Sequence, residues 1–330
     1  MLIFLFACSD KQQVKTLTSK TYHDNGLVKS KTTYSNGIRD GLYSDYFYNG
    51  KLKCEGRYLN NKKDGEWISY YDNGFIEHKT NYLNGKPIGK WIYYYTDGNI
   101  KQEVSYKNGL KEGQYIRYNK NQEIISIKNY SNNQPDGEWL SYYKDGSLKN
   151  KKMYKNKLAD GDWLSYYKNG NIRYIKKYKN DKKDGNWVFY YKNGEIERIE
   201  NYSNNIKESK WSNFFPNGQI KSETIYKYGL ENNYVEYHDN NQLKIKGNYK
   251  AGKKEGKWIS FYSNGHLKEE IFYRNGVYHG EYTAYYSNGE VKYKGGWDNG
   301  KKNNTFRWYY ENGQLFEEIT YKDGLVDWAN

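Results

Sequence analysis

The chain has 330 residues, among them 41 Tyr, 32 Gly and 10 Trp but only 3 Pro, and this excludes collagen-like and Pro-rich chains. An aromatic content of 19% is more adhesive surface than a disordered chain carries, so the chain folds and buries rings more than aliphatic side chains. The formal net charge of +14 invites nucleic acid, yet it is written with 46 Lys against 7 Arg, and bidentate phosphate recognition favours Arg; the composition argues against a nucleic-acid partner.

In chain order, residues 1–8 form an apolar run, Leu2-Ile3-Phe4-Leu5-Phe6-Ala7, closed by Cys8. Leu5 and Ala7 stand where a lipobox has its −3 and −1 residues, so the run reads as a truncated lipoprotein signal with Cys8 as the lipidated residue. That places the chain on the cell envelope, membrane-attached by its N-terminal lipid; a chance Cys in an apolar tail would leave it cytoplasmic. No later stretch approaches the ~20 apolar residues of a membrane span. Residues 9–21 read as a linker.

From Tyr22 to Gly324 one pattern recurs every 24 residues: G-x-W-x-x-Y-Y-x-N-G-x-I/L, then Y-x-N-G-K. Gly26, Gly50, Gly74, Gly98, Gly146, Gly170, Gly194 and Gly218 keep one frame, with Gln122 in the missing slot. After a one-residue deletion the frame resumes at Asn241, Gly265, Gly289 and Gly313, giving thirteen units. Asn-Gly between aromatic and β-branched runs predicts a type I′ hairpin turn. With that turn at Asn73-Gly74, Tyr71 faces Ile76, so Trp67, Ser69, Tyr71, Ile76 and Tyr82 share one face. Ile68 and Tyr70 then point the other way, beside Glu77 and Lys79. A lone hairpin is marginal in water, so the second turn, Asn-Gly-Lys, must pair each unit with the next. The expected fold is all-β, an elongated single-layer antiparallel array of about thirteen tandem hairpins.

Two stretches break the pattern and are expected to kink. Around Tyr115 to Asn133 the turn glycines become Gln122 and Asn133; around Asn205 to Gln242, Ser209 replaces a Gly and Pro216 enters a turn. Residues 325–330, with Trp328, are expected to cap the last edge.

The repeated W-x-x-Y-Y-x-N-G, as in Trp187 to Gly194, and the stretch from Tyr273 to Gly280 resemble the MORN-variant repeat of bacterial proteins often labelled as antitoxins, over about residues 22–324. The resemblance implies a β-hairpin array that contacts protein or membrane and carries no catalytic residue or cofactor.

The residues themselves point the same way. His23, His78, His238, His266 and His279 fall at different places in the repeat with no Cys recurring beside them, against a metal site. No nucleophile elbow, phosphate loop or H-E-x-x-H helix occurs. Asp64, Asp136, Asp160 and Asp184, each before the strand glycine, read as turn chemistry. Neither catalysis nor a cofactor or metal is expected.

The candidate binding face joins a basic row (Lys29, Lys53, Lys101, Lys149, Arg173, Lys221, Lys244, Lys268 and Lys292) to the outward Tyr70, Tyr94, Tyr142, Tyr166 and Tyr190. Such rows suit an acidic protein, an anionic polysaccharide or lipid headgroups, and the same lysines keep an exposed sheet soluble. The expected function is a non-enzymatic scaffold or protein-interaction module on the envelope. The alternatives are an antitoxin that neutralises a partner toxin by binding, and a carbohydrate or cell-wall binder similar to choline-binding repeats. Those repeats cage a cation between paired aromatics, whereas here the Trp and the Tyr-Tyr pair share one strand.

Overall fold

The computed structural model describes residues 15–328. The signal-like run and Cys8 lie outside the described residues. The chain divides into two compact units: one holds the described residues up to Leu148 with Met153–Leu158, the other Lys149–Lys152 with the residues from Ala159 on. Each is an antiparallel meander, and no helix occurs among the described residues.

The strands follow in the order expected for thirteen hairpins, but the first begins earlier than the repeat pattern suggested. Thr16–Tyr22 pairs with Val28–Ser35, so the later part of the segment expected as a linker is a strand, exposed along its whole length. At the other end Leu325–Val326 pairs with Tyr321–Lys322. Trp328 is 89% exposed, so its ring covers no edge and the expected cap is not made by it.

The two turns of each unit differ, and the expected turn type is found at the other one. At the first turn Gly74 N–H donates to Tyr71 O (2.9 Å) and Tyr71 N–H to Phe75 O (2.8 Å). Only Gly74 (φ 91°) is left-handed there, which makes a type I turn closed by a glycine bulge. Asn73 contributes its Oδ1, which accepts the Phe75 N–H. The type I′ turn is the second one, where Asn84 (φ 49°) and Gly85 (φ 79°) join Leu83 to Lys86. The first-turn bulge shifts the register by one, so Tyr70 and not Tyr71 stands opposite Ile76. Trp67, Ser69 and Tyr82 do share a face, with Thr80 and His78 across from them.

The irregular stretches keep the ladder. Gln122 (φ 64°) takes the left-handed place of the missing Gly, and Ile116 still pairs with Ile127. In a regular unit one strand advances from Glu55 to Arg57 while its partner advances from Ile68 to Asp64, a wide bulge. At the deletion the corresponding step is Ile225 to Tyr226 against Asn233 to Glu231, so the lost residue comes out of the bulge and not out of the pairing.

Packing is aromatic and runs from unit to unit. Trp91 lies between Tyr82 (5.1 Å between ring centres) and Tyr106 (4.6 Å), and Trp187 between Tyr178 and Tyr202 (both 5.2 Å). The deepest rings are Trp67, Trp258 and Phe306, 2–3% exposed, and each rests on a glycine of the preceding strand. A Cβ at Gly56, Gly247 or Gly295 would fall 2.1–2.4 Å from the ring above it. Elsewhere the slot holds larger residues, as at Thr80 and Lys176, and Lys176 Nζ lies 4.7 Å from the Trp187 ring. Gly247→Val should therefore cost about 1–3 kcal/mol by overpacking, read as a lower denaturant midpoint, whereas Trp328→Ala should leave the midpoint within about 0.5 kcal/mol of wild type.

Candidate interaction surface

Each unit is tied to the next by side chains as well as by strand pairing. At the bulge, the Trp67 indole N–H donates to Arg57 O (3.1 Å), and Trp91, Trp139, Trp187, Trp211 and Trp258 make the same bond to Asn81, Asn129, Lys177, Asn201 and Asn248. Along the first-turn edge Tyr71 donates its hydroxyl to Tyr94 O (2.8 Å), as do Tyr95, Tyr167, Tyr191, Tyr262 and Tyr286 to the strand 23 residues on. His23 and His238 fill this slot and reach the same carbonyl through Nε2, which accounts for two of the scattered histidines. Beside them Asn73 Nδ2 donates to Thr96 O, and Asn193, Asn264 and Asn288 repeat the bond. The recurring carboxylates secure the second-turn edge: Asp64, Asp136, Asp160 and Asp184 accept the backbone N–H of Asn84, Asn156, Asn180 and Asn204 in the following turn. These acids are held by the backbone, as turn chemistry requires. Among the described residues no cluster of His, Cys, Asp and Glu is placed to hold a metal ion.

The basic row lies along the first-turn edge, over rings one position away from those expected. Lys101 Nζ is 5.9 Å from the Tyr95 ring, Arg173 Cζ 5.9 Å from Tyr167 and Lys221 Nζ 5.8 Å from Phe215; Lys53, Lys268 and Lys292 sit likewise over Phe47, Tyr262 and Tyr286. Lys101, Lys149, Arg173 and Lys221 are exposed. The aromatic rail beside them is thus the Tyr71 slot. Tyr70, Tyr94, Tyr142, Tyr166 and Tyr190 are half-buried one residue earlier, and Tyr70 donates to Glu55 (2.7 Å).

A second basic row escaped the sequence reading. Lys63 lies 4.1 Å from the Trp67 ring and 5.1 Å from Tyr82, and Lys183, Lys207, Lys254 and Lys302 each bridge the rings of a unit's two strands in the same way. Its signal was the residue after Asn-Gly-Lys, which the consensus left open. These lysines roof the aromatic face with their stems.

The reverse face carries a row of directly opposed residues through Ile68. Over most of its length an aliphatic residue from a first strand alternates with a charged one from a second: Glu55, Ile68, Lys79, Ile92, Glu103, and later Glu223, Val235, Lys246, Ile259, Glu270. Its acids pair with neighbouring cations, Lys90 with Glu103 (3.2 Å), Lys210 with Glu223 and Lys257 with Glu270 (2.5 Å).

Burial pushes the tyrosine hydroxyls up. Tyr43, Tyr202 and Tyr226 rise to about 12 from 10.0, first by desolvation and then by the neighbouring Asp45, Glu200 and Glu231. The folded chain holds these protons more tightly than the unfolded one. Their contribution to stability is complete below pH 10 and is lost as pH rises toward about 12. Circular dichroism and phenolate absorbance followed together through that window should show ionisation of these tyrosines coinciding with loss of the sheet.

The MORN repeat variant matches eleven segments: 39–60, 63–84, 87–108, 135–156, 159–180, 183–204, 207–228, 230–251, 254–275, 278–299 and 302–323. The unmatched stretch between 108 and 135 is the hairpin that lost its turn glycine, and its strands pair like the others. No curated protein matches the chain. Two solved structures share 13% and 12% identity with it: "Crystal Structure of TcdB2-TccC3-Cdc42" (93% of this chain, 19% of that one, TM-score 0.19) and "Crystal Structure of TcdB2-TccC3" (93%, 20%, 0.18). The chain spans about a fifth of the length of those chains, and superpositions this poor carry no argument. The bulged first turn, the two-residue left-handed second turn and the ring stack recur across the matched segments, and the chain belongs to the MORN repeat variant family.

Proposed function

We propose that this chain is a non-enzymatic scaffold whose first-turn edge binds an acidic surface of a protein partner. The supporting observation is the rail of Lys101, Arg173, Lys221 and their counterparts, each cation beside a ring, with the Tyr95 and Tyr167 rings fixed by a hydroxyl bond to the next unit and Phe215 in the same slot without one. Because the tyrosines of the rail are hydrogen-bonded inside the array, the rail is pre-ordered and loses little entropy on binding. Members of this family are generally non-catalytic, and repeat modules of this kind typically mediate protein interactions. Anchoring at the envelope through lipidated Cys8 is part of the same reading and rests on the apolar run before it.

The test is affinity purification from cells that retain the native N-terminus, followed by mass spectrometry. Reversing the rail with Lys101→Glu, Arg173→Glu and Lys221→Glu should lose a partner the wild type recovers, and added salt should weaken its capture. Retention of every partner by the reversed chain, or displacement of them by soluble glycans, would reject the proposal in favour of a carbohydrate binder. Cys8→Ala should abolish incorporation of a fatty-acid probe; unchanged labelling would remove the lipid anchor.

A further inference from the structure

The reverse-face row changes character inside the second unit. From Leu164 through Ile175 and Val188 to Ile199, four successive strands place aliphatic residues directly opposite one another. The positions that hold Glu or Lys over most of the row here hold Ile175 and Ile199; in the first unit Ile127, between Ile116 and Leu140, is the other such position, and its run is one strand shorter. The next pairs along these strands, Tyr166 with Ile172 and Tyr190 with Ile196, continue the apolar surface. Further along the row Ser212 and Glu223 restore polarity.

We infer that this stretch is a self-association surface, on which the second unit of one chain packs against the same stretch of a second copy. A one-layer sheet has no partner for its apolar side, and two such sides close at the ordinary spacing of about 10 Å when both carry branched side chains. A twofold axis meets that condition automatically, since the row faces itself. The rim is electrically self-complementary. Asp162 stands opposite Lys177, and Lys210 pairs with Glu223. Two copies therefore meet there with both signs present, despite a chain charge of +14. An ordinary interface buries about 800 Å² per partner, more than four side chains supply, so the tyrosine–isoleucine pairs and the rim belong to it as well.

Sedimentation equilibrium of the full chain across micromolar concentrations tests this. Wild type is expected to reach twice its monomer mass, and the double variant Ile175→Lys with Ile199→Lys to remain monomeric or to associate at least about tenfold more weakly. Lys occupies the same row at Lys79, Lys151 and Lys246, so the double variant is expected to keep the sheet, checked by circular dichroism and its melting temperature. Leu230→Lys, at an exposed site of the same unit, should dimerise like wild type. A wild type that stays monomeric throughout, or a double variant that dimerises normally, overturns the inference. Either result leaves the partner-binding rail standing, because the rail is tested by its own charge reversals.

Discussion

Everything in this fold depends on a ring from one unit resting on the strand of the unit before it. A hairpin of this length buries too little to persist alone, and among the described residues no second layer covers the sheet in either compact unit. The indole solves two problems in one side chain. Its rings supply the apolar area, as in the 2% exposure of Trp258, and its N–H satisfies a carbonyl at the wide bulge, as Trp258 does for Asn248. Where Tyr or Phe takes the slot the area is kept and the indole bond is absent. At Tyr234 the bulge is also the shortened one, so the two changes fall together.

The positive charge divides into two groups with different work. One group, Lys63 and its equivalents, lies over paired rings and keeps water from the aromatic face. The other stands along the turn edge, where the tyrosine beneath a cation, as Tyr95 beneath Lys101, is already bonded to the following unit. The second group is the one the proposed function assigns to a partner, so a composition that looks like a nucleic-acid binder is divided, once folded, between a roof over the rings and a basic edge.

Much of this was legible in the sequence because repetition converts a weak local signal into a strong one. Recurrence of the same aromatic and Gly positions, with Gly at eleven of the thirteen first turns, fixes the hairpin, the unit length and the shared face of Trp67 and Tyr82. The turn type was not legible. Asn-Gly fits both a type I′ turn and a type I turn with a glycine bulge, and only the backbone bond from Tyr71 to Phe75 separates them. That one residue of register moved Tyr70 opposite Ile76 and put the basic row beside Tyr95 and Tyr167 instead of Tyr94 and Tyr166. The first strand was hidden for a different reason: Thr16–Tyr22 has no buried side and so no alternation to detect.

The hydroxyl and amide bonds that run 23 residues ahead, from Tyr71 to Tyr94 and from Asn73 to Thr96, make each unit both donor to its successor and acceptor from its predecessor. Such a joint is indifferent to which copy stands on either side. Duplication or loss of one whole 24-residue segment of the gene would leave every remaining joint complete, so the length of the array can drift by recombination between copies without passing through a misfolded intermediate.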